Sequence, residues 1–124
     1  MLMGMVYFVV ASDVVVGLAG VTTAIGTGAT LGQEVPPVGW RSASWGVGGA
    51  NIVSSAVFFG IAGASEDVMP WTAIGLAHLA VTATNFALAG VAMSRADEVT
   101  GSTSAALRSA PAATLPVFSW GGAF

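Results

Sequence analysis

The chain has no cysteine and no lysine, and charged residues make up only 7% of its 124 positions. Without cysteine it can form neither a disulfide nor a thiolate metal site. Its three arginines are scattered and are outnumbered by six acidic residues, for a formal net charge of -3. No basic face exists to neutralise a run of phosphates, so nucleic acid is not expected as a partner. The shortage of charge also excludes a soluble domain, which at this size carries about 25% charged residues to dress its surface. Disorder is excluded from the opposite direction, because 55% of the residues are hydrophobic and such a chain collapses. The lipid bilayer is the solvent that remains.

Catalytic constellations are missing too. Asp13 and His78, the single histidine, are two possible ligands where zinc requires three or four. No serine lies in a nucleophile elbow, and Glu34, Glu66, Asp67, Asp97 and Glu98 fall in loops or in the C-terminal segment. The glycine-rich stretch GTGATLG, residues 26–32, has no preceding strand and lies inside an apolar run, which rules out a dinucleotide loop. The chain is not expected to be an enzyme.

A membrane-crossing helix needs about 20 predominantly apolar residues. Three segments meet that length: residues 5–31, 45–64 and 71–93. The breaks between them carry turn residues, Pro36, Pro37 and Gly39 in the first and Glu66, Asp67 and Pro70 in the second. Pro70 stands where a helix would start, a position that tolerates its missing N–H. Residues 1–10 lack a positive charge and lead into a long apolar run, so they read as part of the first span rather than as a cleaved signal. The expected fold is an all-α membrane protein of three transmembrane helices, residues 1–94. Residues 95–124 read as an extended, polar, Pro-containing tail whose aromatic end, Phe118, Trp120 and Phe124, would either anchor it to the membrane surface or a partner or form a free terminus.

Arg41, Arg95 and Arg108 all fall on one side of a three-span topology, which predicts a cytoplasmic tail and an N-terminus outside. Tyr7, Trp40, Trp45 and Trp71 sit near span ends, as interfacial aromatics do.

Small residues provide the packing surfaces. The hexapeptides VGLAGV (16–21), FGIAGA (59–64) and FALAGV (86–91) resemble one another, a shared device for close helix approach rather than proof of duplication. Gly20, Ala24, Gly28 and Gly32 form a ridge on the first span, and Gly46, Ala50 and Ser54 form one on the second. Ridges on more than one face predict association with further copies of the chain or with other membrane subunits.

Each span also carries one polar stripe at three- and four-residue steps. The faces that carry them are Asp13, Val16, Gly20, Thr23, Thr27 and Thr30; then Ser44, Gly48, Asn51, Ser55, Phe58 and Ala62; then Trp71, Gly75, His78, Thr82, Asn85 and Ala89, with their hydroxyl, amide, carboxyl and imidazole groups on one side of each helix. Facing lipid, these groups would go unsatisfied, so the stripes should meet inside the bundle. Counted from Tyr7 and Trp71, Asp13 and His78 lie at a similar depth, roughly 10 Å into the membrane, and should pair. Asn51 and Asn85 are expected in the inner half, joined by Thr23 and Thr27. Three functional readings follow: a polar lock that fixes helix register, a proton or ion path with Asp13 and His78 as its titrating pair, or a haem or chlorophyll held axially by His78 with Gly75 making room.

Overall fold

The computed structural model describes residues 2–109, which form three antiparallel-connected helices: α1 (Leu2–Thr30), α2 (Val38–Ala64) and α3 (Val68–Ser109). The fold is all-α, and each helix is long and apolar enough to span a membrane. Phe118, Trp120 and Phe124 lie outside the described residues.

Helix ends depart from the hydropathy edges for local reasons. Pro37 is the N-cap of α2, with φ -57° and ψ 136°, so the helix starts at Val38 and takes Trp40 and Arg41 into its first turn. A hydropathy edge marks where oil begins, whereas Pro37 marks where helical hydrogen bonding can begin. Similarly α3 starts at Val68, which puts Pro70 in its first turn. The larger difference lies at the other end. Residues 95–109, expected as extended tail, continue α3, which reaches 42 residues. Ala96, Ala105, Ala106 and Leu107 favour a helix there. The hydroxyls of Thr100 and Ser109 return to the carbonyls of Ala96 and Ala105 instead of competing for backbone groups. At 1.5 Å per residue α3 is about 63 Å long against about 30 Å of hydrocarbon, so its C-terminal half projects beyond the bilayer.

The cross-section is inverted relative to a soluble protein. Asn51, Asn85, Thr27 and Ser44 are 0% exposed, while Leu18, Ile25 and Val53 are 63%, 67% and 64% exposed. The buried lines are Ser44, Gly48, Asn51, Ser55, Phe58 and Ala62 on α2, and Gly75, His78, Thr82, Asn85, Ala89, Ala92 and Ala96 on α3. On α1, Gly20, Thr23, Thr27 and Thr30 are buried.

α2 and α3 pack as two copies of one pattern. A shift of 27 residues sets Gly48 on Gly75, Ala50 on Ala77, Ala56 on Ala83, Phe59 on Phe86, Ala62 on Ala89 and Gly63 on Gly90. Contacts obey the same exchange. Ser55 Oγ donates to Gly75 O at 2.9 Å, and its counterpart Thr82 Oγ1 donates to Gly48 O at 3.1 Å. A Cβ on Gly48 would lie 2.5 Å from the Phe86 ring, and one on Gly75 would lie 2.9 Å from the Phe59 ring. The exchange therefore describes an approximate two-fold axis across the hairpin. Asn51 and His78 are each other's equivalents and touch, so they sit on that axis. α1 docks where the symmetry fails: Asn85, which bonds to α1, occupies the position that Phe58 holds in the other copy.

The small-residue ridges divide. Gly20 is packed tightly, its missing Cβ 2.4 Å from Val81 and 2.8 Å from Asn51 Nδ2. Gly28 faces Leu88, and Ala24 is half-buried over α3. Gly32 is not part of the ridge, because α1 ends at Thr30 in a turn where Leu31 N bonds to Gly28 O. Gly46 has nothing near its Cβ position and Ala50 is exposed, while Ser54 is half-buried at a cleft between α1 and α2. Gly46 and Ala50 thus lie outside the three-helix body, and only Ser54 borders it. Gly26, missing from the predicted ridge, lies beneath the Trp40 ring, 2.3 Å from where its Cβ would stand.

Gly48→Ala and Gly75→Ala should each destabilise by about 1–3 kcal/mol through overpacking, despite alanine's better helix propensity. Gly46→Ala, facing open space, should be neutral or stabilise by up to about 1 kcal/mol. Thermal melts in detergent followed by circular dichroism test this contrast, and equal effects at all three positions would contradict the packing.

Candidate functional site

Every polar residue of the three stripes is placed in the interior. Near the middle of the bundle, Asp13 Oδ1 lies 2.8 Å from His78 Nε2, with the side chains 15% and 7% exposed. The expected pair is therefore in contact. Oδ1 is covered and makes no other polar contact, so the imidazole is its one neighbour of that kind among the described residues. Gly17 gives the ring room, since a Cβ there would come to 3.6 Å from His78 Cε1. Phe58 stacks parallel to the imidazole, with centroids 6.0 Å apart and the planes within 1°.

Asn51 fixes the other side of the ring. Its Nδ2 donates to Val47 O at 2.8 Å and points at Val16 O at 3.4 Å, which leaves Oδ1 as the acceptor facing His78 Nδ1 at 2.6 Å. A carbonyl oxygen can only accept, so His78 carries a proton on Nδ1. That leaves Nε2 as the ring atom facing Asp13 Oδ1.

Asn51 is not in the inner half, as counting from Trp45 suggests. It is the midpoint of α2, which begins at Val38, and this puts it level with His78. Asn85 forms a separate node. Its Nδ2 donates to Gly20 O at 2.9 Å and Val81 O at 3.0 Å, and its Oδ1 faces Thr23 Oγ1 at 2.9 Å. Thr27 does not join the asparagines. It lies 3.1 Å from Trp40 O and 2.6 Å from Ser44 Oγ. Its one proton goes to the carbonyl, so Ser44 donates to Thr27. Three nodes in depth order thus tie α1 to the hairpin: Asp13–His78–Asn51, Thr23–Asn85–Gly20 O, and Ser44–Thr27–Trp40 O.

The chemistry these nodes permit is limited. Both nitrogens of His78 are occupied, so axial ligation of a haem or chlorophyll would require it to release Asp13. The space at Gly75 is filled by Phe59 rather than kept for a ring. Among the described residues no three His, Cys, Asp or Glu side chains gather as a metal site. Sequence reasoning missed Gly17, the stacking of Phe58 on the imidazole and the Ser44–Thr27 bond. For Gly17 and Phe58 the signal lay in their positions, since a glycine four residues after Asp13 and an aromatic on the Ser44–Asn51 line both adjoin the imidazole.

Nitrogen-15 NMR of histidine-labelled protein in lipid should find Nδ1 protonated, and a bare Nδ1 would contradict the Asn51 bond. His78→Ala strips Asp13 and Asn51 of their shared partner and should cost about 3–5 kcal/mol, as removal of one partner of a buried pair does. Asp13→Asn, which keeps shape and polarity, should cost markedly less in the same thermal melts.

No protein-family model matches the chain, and comparison with curated proteins and with solved structures likewise finds no match.

Proposed function

We propose that the chain is a non-catalytic structural subunit of a membrane assembly, built either from its own copies or with other membrane proteins. What supports this reading is the outward face of α2. Ser42, Gly46, Gly49, Val53, Ala56, Gly60 and Gly63 recur at three- and four-residue steps on the side away from the core. Gly46, Gly49, Gly60 and Gly63 all have open space where a Cβ would go. In lipid, helices associate largely by close backbone contact over such smooth surfaces. The internal polar nodes suit a scaffold, because they consume the bundle's own hydrogen-bonding groups and hold α1 in one register. In this reading the end bearing Arg41 and Arg95 faces the cytoplasm.

A second reading, a proton- or ion-conducting oligomer, draws on the Asp13–His78 contact, which lies beside a cleft about 200 Å³ in volume between α1 and α2.

Gly46→Leu combined with Gly60→Leu should lower association at least about tenfold, as loss of close helix contact worth about 1.4 kcal/mol would do. Energy transfer between labelled copies, or retention of copurifying subunits, measures it, with helix content unchanged. Undiminished association would contradict the subunit reading. Proton flux into liposomes that is lost in Asp13→Asn while association persists would favour the conducting one.

A further inference from the structure

We infer that the groove around Arg41 binds the phosphate headgroup of an anionic membrane lipid. Arg41 continues the buried line of α2, three residues before Ser44, so its side chain runs along the helix seam rather than straight out to solvent. It is half-buried, its Nε is covered without a hydrogen-bond partner, and among the described residues no acidic group pairs with it. A guanidinium cannot shed its charge. The other two arginines differ: Arg95 Nη1 is engaged by Leu31 O and Arg108 Nε by Ser104 O, both at exposed positions.

Beside Arg41 opens a groove of about 290 Å³ lined by Val38, Arg41, Ser42, Trp45 and Met93. Arg41 and Ser42 supply donors, while Val38, Met93 and the Trp45 ring supply apolar wall, the division a lipid head and its first chain carbons require. Trp45 Nε1 points at Met93 Sδ at 3.1 Å, a weak acceptor that a phosphate or ester oxygen would outbid. Pro37 provides no side-chain cap, so the positive end of the α2 dipole adds to the field of Arg41. The groove lies in the first two turns of α2, at the membrane boundary, where lipid phosphates reside. Charge selects an anionic head over a zwitterionic one, whose ammonium would face the guanidinium.

Native mass spectrometry of the full chain in mild detergent, offered phosphatidylglycerol and phosphatidylcholine in equal amounts, tests the assignment. Wild type should retain one phosphatidylglycerol per chain with about tenfold preference, the scale of one charge-assisted contact. R41Q should abolish the preference, and V38W, which keeps the charge but fills the groove, should lower retention. R95Q should behave as wild type. Preference intact in R41Q or V38W, or lost equally in R95Q, would overturn the site. So would wild-type retention that inorganic phosphate or an acidic peptide displaces, which would make the groove a general anion site.

Discussion

In hydrocarbon a polar group cannot fall back on water, and that constraint organises this molecule. Every hydroxyl, amide and ionisable side chain that enters the bilayer must find a partner within the protein. The chain meets the constraint by placing its asparagines, its histidine and most of its buried hydroxyls on one line per helix and turning the three lines toward one another, while an exposed hydroxyl such as Thr84 bonds to a carbonyl of its own helix. Its larger aliphatic residues are left for lipid. Specificity in such a bundle does not come from apolar burial, because lipid tails are as apolar as valine or leucine. It comes from which carbonyl each side chain reaches and from where glycine lets backbones approach.

Glycine and hydrogen bonding act together in the hairpin. Gly48 and Gly75 each accept a hydroxyl from the facing helix at the carbonyl, and each makes room for a phenylalanine ring where a Cβ would stand. This doubled pattern gives α2 and α3 an approximate two-fold relation that α1 then breaks. Asn51 and His78 stand on the axis, yet only the histidine meets a carboxyl group. The asymmetry turns a symmetric packing contact into a polarised one, with an amide fixing one ring nitrogen and Asp13 addressing the other.

Much of this was legible in the residues. The steps of three and four that linked His78, Thr82 and Asn85 are geometry alone, and so was the depth match that paired Asp13 with His78. Two kinds of feature resisted. Helix ends were obscured because hydropathy reports the solvent: α2 begins at Pro37's dictate inside polar sequence, and α3 runs on through Ala96, Ala105 and Ala106 after the oil has ended. The shift of Asn51 to mid-membrane follows from the first of these. Which small residues face inward was also obscured, since Gly20 and Gly46 are alike in spacing and opposite in surroundings. Gly48 is the contrast, because it stands four residues after Ser44 and three before Asn51 on the polar line, and that line marks it as inward where Gly46 has no such neighbour.

The central claim is that polar lines point inward and aliphatic residues meet lipid. The chain has no cysteine, so single cysteines can be introduced along α2 and spin-labelled one at a time. Electron paramagnetic resonance in vesicles then reads each label's collisions with oxygen, which partitions into lipid, and with a water-soluble nickel chelate. Oxygen accessibility should oscillate with the period of the helix, about 3.6 residues, with minima at 48, 51, 55, 58 and 62 and maxima at 50 and 57, which are exposed and lie outside the face proposed for association. The nickel chelate should reach none of these positions. Accessibility without that period, or nickel collisions at 51 and 55, would contradict the account.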